Sequence, residues 1–248
     1  MKTNWIRASL AGVLVLATFI LTSGVAFGLF ADTGSGQGAA TVGSNFSITR
    51  AVDQLTTKAI LGPIATYSTL APAITQTSST MDGTSGINAI ENPSGAQSTS
   101  ATVLLAELLS TYTKMMALPS NAVISGDING LTIAPGVYFD AGALNMAASG
   151  ILTLDAHGDP NALFVFQVTG AIGIGAGSLI QLINGAQANN VYWVSTGAFA
   201  GGAGSALAGN VIANGAGNPG ASSVVVGRLL SLAALTLTSV TITTPVAT

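Results

Sequence analysis

The sequence predicts a mainly β protein made of many short strands. Of its 248 residues, 31 are Gly, 49% are hydrophobic and only 6% are charged, whereas about a quarter of an average globular chain is charged. Between residues 123 and 248, short β-rich runs alternate with turns that contain Gly and Asn. Such a series is typical of a sandwich, a barrel or a solenoid. The abundance of small residues, which lets successive coils stack closely, favours the solenoid.

The same composition argues against several classes of function. Six Lys and Arg residues cannot form the basic surface that a nucleic-acid-binding protein needs. One His, no Cys and nine carboxylates leave little from which to build an acid–base site, which disfavours an enzyme. We therefore predict no catalytic residues, no bound metal and no cofactor.

Residues 1–28 are predicted to be a secretory signal peptide. Lys2 and Arg7 precede an uncharged stretch at residues 8–31, and small residues follow its apolar centre, as at a signal-peptidase site. The predicted location is therefore extracellular, either secreted or at the cell surface. The alternative is an uncleaved N-terminal anchor, because this stretch is long enough to cross a bilayer of about 30 Å. Only in that case would the protein contact a membrane.

The remainder divides into an arm and one domain. Residues 29–59 are polar and rich in Gly and Ser, which predicts an N-terminal arm or linker, and residues 60–248 form the predicted domain. Residues 64–84 alternate apolar and small polar side chains, as a strand does. One helix is predicted at about residues 100–117, because apolar residues recur there at three- and four-residue spacing until Pro119.

The centre of the chain resembles the ice-binding-protein-like family. The motifs that carry the resemblance are GLT at 130–132, PGVY at 135–138, LDA at 154–156, GDPNA at 158–162, FQ at 166–167, NGA at 184–186 and NV at 190–191, together with Phe164 and Trp193. Residues 64–84 are similar to the family's first rung. The resemblance implies a right-handed triangular β-solenoid with one long α-helix packed alongside. It also implies a secreted or surface protein without enzymatic activity.

Several members of that family bind ice through a flat β-face that carries Thr and other small residues. The resemblance therefore implies such a face here, in the late coils. The sequence does not determine which residues of each strand point outward on this face, because a shift of one residue exchanges the inward and outward side chains of a strand. The candidate ice- or surface-binding residues are Ile172, Ile174, Ala176, Ser178, Phe199, Ala203, Ser205, Thr236, Thr238, Thr241 and Thr243.

Asp155, His157 and Asp159 occupy alternate positions, as metal ligands on one strand could. However, the adjoining Gly158 and Pro160 indicate a turn, in which Asp side chains accept backbone hydrogen bonds. We therefore interpret the three residues as turn-forming.

The predicted function is binding of ice, or of another repetitive extended surface, by a non-enzymatic extracellular protein. The alternative is a structural or adhesive role as a subunit of an extracellular filament or surface layer. In that alternative the chain self-associates by donating a strand from its N-terminal arm to a neighbour.

Overall fold

Short strands make up most of the computed structural model, which describes residues 67–77, 79–81 and 99–245. The predicted signal peptide, the predicted arm and the predicted domain start at residue 60 lie outside these residues. The described residues contain one α-helix, α1 (Thr99–Met116), and a three-residue 3-10 helix at Ala188–Asn190. The strands are β1 Thr69–Leu70, β2 Ala73–Thr77, β3 Thr80–Met81, β4 Ala122–Val123, β5 Gly126–Asp127, β6 Thr132–Ile133, β7 Gly136–Asp140, β8 Leu144–Met146, β9 Ile151–Asp155, β10 Phe164–Val168, β11 Ile172–Ile174, β12 Leu179–Ile183, β13 Val191–Ser195, β14 Phe199–Gly201, β15 Ala206–Ala213, β16 Gly217–Asn218, β17 Val224–Ser231, β18 Ala234–Thr238 and β19 Thr241–Thr243.

The strands form three parallel ladders, which the chain visits in a repeating order. Ladder A contains β4, β7, β10, β13, the second halves of β15 and β17, and β1. Ladder B contains β5, β8, β11, β14, β16, β18 and β2. Ladder C contains β6, β9, β12, the first halves of β15 and β17, β19 and β3. One passage through A, B and C is one coil, and the prediction of a mainly β fold of parallel strands with one helix is confirmed.

The coil that comes first in the chain is last in the stack. Strands β1, β2 and β3 pair with β17, β18 and β19, which belong to the C-terminal coil. Further hydrogen bonds hold this N-terminal coil in place, among them one from the Ser239 N–H to the Thr77 carbonyl at 2.7 Å. The Leu229 N–H donates to the Ser68 carbonyl at 2.9 Å, and the Val240 N–H donates to Ser79 Oγ at 3.1 Å. The stretch that resembles a first rung therefore forms the seventh coil.

Inward-facing aromatic side chains fill the centre of the coils. Tyr138, Phe166 and Trp193 stand at matching positions of β7, β10 and β13. The rings of Phe166 and Trp193 stack with centroids 4.2 Å apart, and those of Tyr138 and Phe166 with centroids 5.5 Å apart. The Trp193 indole N–H donates to the Ala208 carbonyl at 2.9 Å. The core therefore satisfies its one indole donor while burying that ring completely.

Helix α1 covers the outer side of ladder A. Leu108 and Met115 of the helix pack on Val165 and Tyr192, which project outward from the ladder. Gln167 fixes the end of the helix, because its side-chain amide donates to the carbonyls of Met115 at 2.7 Å and of residue 118 at 2.8 Å. Ladder A is thus buried on both sides, as parallel sheets usually are. Within the residues described, no helix is both long and apolar enough to span a membrane.

Candidate functional site

The solvent-facing side of ladder B, called surface B below, consists of three rows of small side chains. In β8, β11 and β18, inward residues are buried and their neighbours face outward. Parallel register then places the outward residues of successive coils beside one another. The alanine row is Ala73, Ala143, Ala171, Ala198, Ala216 and Ala234; the central row is Thr75, Asp127, Asn145, Gly173, Ala200, Asn218 and Thr236; the third row is Thr77, Ala147, Gly175, Gly202, Gly220 and Thr238.

The third row of surface B leaves no room for side chains in the middle coils. A Cβ atom on Gly175 would lie against the backbone of Ala148, and one on Gly202 would lie against the backbone of Ala176. Successive coils therefore approach closely at these positions, and only glycine fits between them. The glycines are stacking positions, which explains why Thr appears in this row only at the last two coils, as Thr77 and Thr238.

A row of hydroxyl and amide side chains borders surface B where ladder A turns into ladder B. Thr169, Thr196 and Asn214 stand at matching positions of three coils, because the residues before them are paired. The Thr196 hydroxyl donates to the Thr169 carbonyl at 2.6 Å, and the Thr169 hydroxyl donates to the Asp140 carbonyl at 3.3 Å. These bonds between neighbouring coils fix the side-chain rotamers. The row is therefore ordered before any ligand arrives.

Sequence reasoning missed this row, although a signal for it exists. A Thr/Asn-Gly-Ala triplet occurs at residues 169–171, 184–186, 196–198 and 214–216. The three that follow strands of ladder A each supply one residue of the bordering row, a glycine at the bend and one residue of the alanine row, whereas 184–186 follows β12 of ladder C.

The eleven candidate residues predicted from the sequence do not lie on one surface of the structure. Thr236 and Thr238 lie on surface B and are exposed, and Thr241 and Thr243 are exposed on ladder C. Ala176 and Ala203 are exposed at the turn from ladder B to ladder C. Five are buried: Ile172, Ile174, Phe199, Ser178 and Ser205. A buried side chain cannot contact an external surface, so these five are not part of the face that surface B presents.

The buried candidates have structural roles that explain their placement. Ile172, Ile174 and Phe199 are the large inward side chains of β11 and β14, packed in the core. Ser178 donates its hydroxyl to the Gly175 carbonyl, and the hydroxyls of Ser205 and Ser223 are 3.2 Å apart. The serines thus satisfy polar groups inside the turn between ladders B and C.

In the turn that follows β9, Asp155 and Asp159 accept separate backbone hydrogen bonds, and His157 Nδ1 lies 3.5 Å from Asp155 Oδ2. Asp155 Oδ1 accepts the His157 backbone N–H at 2.8 Å and the Asn184 side-chain amide at 2.9 Å. Asp159 Oδ1 instead accepts the Asn161 N–H at 2.8 Å. Among the described residues, no group of three His, Cys, Asp or Glu side chains is arranged to hold a metal ion.

The hydrogen bonds to Asp155 predict an acid-sensitive contribution to stability. The His157 backbone N–H, followed by the Asn184 side chain, lowers the Asp155 pKa. A lowered folded-state pKa gives stability that is present above the unfolded pKa of about 3.9 and is lost as the pH falls through the folded value. Relative to Asp155→Asn, we expect the protein to melt at a higher temperature at neutral pH, and the two melting temperatures to converge in acid. Thermal denaturation across a pH series measures this, and a difference that stays constant into strong acid would contradict it.

Comparisons with known proteins agree with this architecture. A sequence profile described as Ice-binding-like matches residues 36–243. The chain is 39% identical to Ice-binding protein 1 of Shewanella frigidimarina (strain NCIMB 400) over 107 residues, which are 43% of this chain and 12% of that protein. It is also 39% identical to an ice-binding protein of Nostoc sp. (strain HG1) over 103 residues, covering 41% of this chain and 37% of that protein. These alignments span less than half the length of either relative.

Solved structures of similar fold have related sequences. The crystal structure of an ice-binding protein from an Antarctic bacterium, Flavobacteriaceae, aligns with a TM-score of 0.67 at 29% identity, covering 75% of this chain and 47% of that one. That of an ice-binding protein from the Antarctic ascomycete Antarctomyces psychrotrophicus aligns with a TM-score of 0.65 at 29% identity, covering 75% of this chain and 98% of that one. The resemblance seen in the sequence motifs is confirmed: this chain belongs to the Ice-binding-like family.

Proposed function

We propose that the protein binds ice through surface B. The observation that carries this proposal is the alignment of three outward rows of small side chains, two across six parallel strands and the central one across seven. Asp127, in the first coil, is the one charged residue of these rows. The names of the relatives and of the structural neighbours, which are ice-binding proteins, support the same ligand.

The physical basis is a rigid periodic surface that needs no ordering on binding. Adjacent strands are about 4.8 Å apart, so each row repeats at that spacing along the ladder. Ala and Gly have little or no side-chain entropy to lose, and the hydroxyls of Thr169 and Thr196 are already held by neighbouring carbonyls. Little conformational entropy is therefore lost when the surface meets a lattice. Methyl groups beside hydroxyls and amides give a half-apolar face that orders water.

The finer features expected of the family belong to the same proposal. We infer a right-handed coil of triangular cross-section, which the right-handed preference of crossovers between parallel strands supports. The protein is secreted or displayed at the cell surface after removal of residues 1–28, residues 29–59 form an arm, and residues 60–248 form the binding domain. It acts without catalysis, because its ligand is held and not transformed.

No observation on the described residues favours the filament alternative, and the arm at residues 29–59 that would donate the strand lies outside them. Side-chain oxygens of the first coil bond to the second coil and not to an outer edge. Asn121 Oδ1 accepts the Val137 N–H at 2.6 Å, and Asn129 Oδ1 accepts the Ile151 N–H at 3.0 Å. Asp127 Oδ1 accepts the N–H of residue 147 at 3.1 Å. We therefore retain ice binding as the proposed function.

Thermal hysteresis and ice recrystallisation of protein expressed from the full chain in a secreting host test the proposal. We expect activity in the wild type and loss of most of it in Ala200→Lys, because a long charged side chain at the centre of surface B holds the flat rows away from ice. Leu109→Lys is the matched control, since Leu109 is 52% exposed on α1, which packs on ladder A. An inactive wild type, or equal activity in the two variants, would reject surface B as the binding face.

A further inference from the structure

The solvent-facing side of ladder C, called surface C below, carries most of the exposed aliphatic side chains of the described strands. Ile151, Leu179 and Val224 are 46%, 39% and 44% exposed. They form one row with Ala206 and Thr241, because β9, β12, β15, β17 and β19 pair in register at these positions. The row therefore runs across five successive coils.

A second row lies beside the first and is also uncharged. Its members are Thr132, Gln181, Val226 and Thr243, which are exposed, Thr153, which is half-buried, and Ala208, which is buried. The residues between the two rows, such as Leu152 and Val225, face the core. Ladder C is thus apolar on its inner side and about half apolar on its outer side. Sheets that face water on one side usually carry polar residues there, and a contiguous exposed apolar patch marks a contact surface.

The chemistry of surface C limits what can cover it. The two rows contain no charged side chain, and Asp155, the next outward residue on β9, lies at their edge. Rows without a charge do not suit a lipid headgroup or a polyanion. The rows also form a strip only about 25 Å long and 10 Å wide, from the spacings of strands and of alternate residues. That is roughly 250 Å², well below the about 800 Å² per partner of a stable protein interface. A second copy of this chain is therefore disfavoured as a stable occupant.

The regular spacing of the rows on surface C indicates which kind of ligand fits it. Surface C repeats with the same coils as surface B, so its rows have the same spacing. An uncharged, regularly repeating, half-apolar surface suits an uncharged, regularly repeating lattice.

We infer that surface C is a second ice-contacting surface, which engages a plane of the crystal different from the one that surface B engages. The two surfaces belong to different ladders, which meet at a turn where successive coils adopt positive φ, as at Ser149, Gly204 and Ser222. This inference rests on the proposed function and extends it to a second site.

Fluorescence of labelled protein adsorbed on a hemisphere of single-crystal ice tests the inference. The chain contains no cysteine, so Glu107→Cys on the exposed side of α1 provides one labelling position away from both surfaces. In this labelled background we expect two sets of illuminated crystal planes. The double variant Val224→Lys/Val226→Lys should lose one set and keep the other, and Ala200→Lys should do the reverse. Leu109→Lys, an equally drastic change outside both surfaces, should keep both sets.

The outcomes separate this inference from the proposed function. If the Val224→Lys/Val226→Lys protein keeps every plane, surface C does not contact ice, while ice binding by surface B stands. If the labelled wild type illuminates no plane, the proposed function fails and this inference with it. Sedimentation velocity of the same samples tests whether a second copy of the chain binds surface C. If the wild type is a dimer and the double variant is a monomer, surface C serves self-association and not ice binding. Ile151→Lys, at the other end of the first row, repeats the test should the double variant fail to fold.

Discussion

Replacing Gly227 with alanine is expected to lower the free energy of unfolding by about 4 kcal/mol or more, among the largest effects of a single substitution. Gly227 pairs with Gly209 where β15 and β17 pass from ladder C into ladder A. A Cβ on Gly227 would lie 2.6 Å from the Gly209 carbonyl carbon and 3.1 Å from its nitrogen. Because both atoms are backbone, relief requires the two coils to separate. The φ of Gly227 is also +156°, a region that other residues rarely adopt.

Gly204→Ala is the matched control for Gly227→Ala. Gly204 also has a positive φ, at +67°, but a Cβ there would meet nothing within 4 Å. It should cost only the backbone strain of about 1–2 kcal/mol. Urea denaturation followed by far-ultraviolet circular dichroism measures both variants. Equal losses in the two proteins would show that close approach of the coils at Gly227 does not limit stability.

Trp193→Ala is expected to cost about 3–5 kcal/mol, the range for removing a large aromatic side chain from a core. Trp193 is completely buried, and its ring stacks on Phe166 at 4.2 Å. Phe166 in turn stacks on Tyr138, so the substitution opens a cavity at one end of a three-ring column. The midpoint of urea denaturation should fall accordingly.

Trp193→Phe separates ring packing from hydrogen bonding at this position. It retains an aromatic ring but removes the indole N–H that donates to the Ala208 carbonyl at 2.9 Å. We expect a smaller loss, of about 1–3 kcal/mol, since one buried acceptor is left unsatisfied and the smaller ring fills less space. If the two substitutions destabilise the protein equally, the hydrogen bond and not the ring volume dominates the contribution of Trp193.

Local patterns predicted the elements of this fold well. Helix α1 begins at Thr99 and ends at Met116, against a predicted 100–117, because its apolar residues repeat at helical spacing and Pro119 prevents continuation. Two of the short β-rich runs between residues 123 and 248, at 163–170 and 191–197, contain β10 and β13. In both, bulky β-branched and aromatic residues cluster between Gly-containing turns, which is a signal that depends only on neighbours in the sequence.

The order of the stack could not be read from the sequence, because it depends on pairing between distant segments. Nothing within residues 69–81 indicates that their partners lie at 229–243, rather than in the next coil along the chain. Parallel ladders between short, similar strands admit several registers, and side-chain size chooses among them only in the folded state.

The sequence predicts the candidate site only in part, because it does not show which residues of the glycine-rich coils point inward and which point outward. Alternation of apolar and polar residues is weak where most side chains are Gly or Ala. Size was the better criterion: in these coils the few large side chains, such as Ile172 and Phe199, are inward and buried. Thr236 and Thr238 are exposed on β18, where the sequence alternates plainly between Leu and Thr.

The position of the N-terminal coil also determines when the protein can finish folding. Strands β1 to β3 are synthesised before all others, yet their described partners are β17, β18 and β19, which are synthesised last. No partial chain can therefore close the stack, and closing the loop between these segments carries an entropic cost that local contacts do not offset. Until residues 224–243 are available, the edge on which the N-terminal coil will lie does not exist. Completion of the native stack is thus tied to the synthesis of residues 224–243.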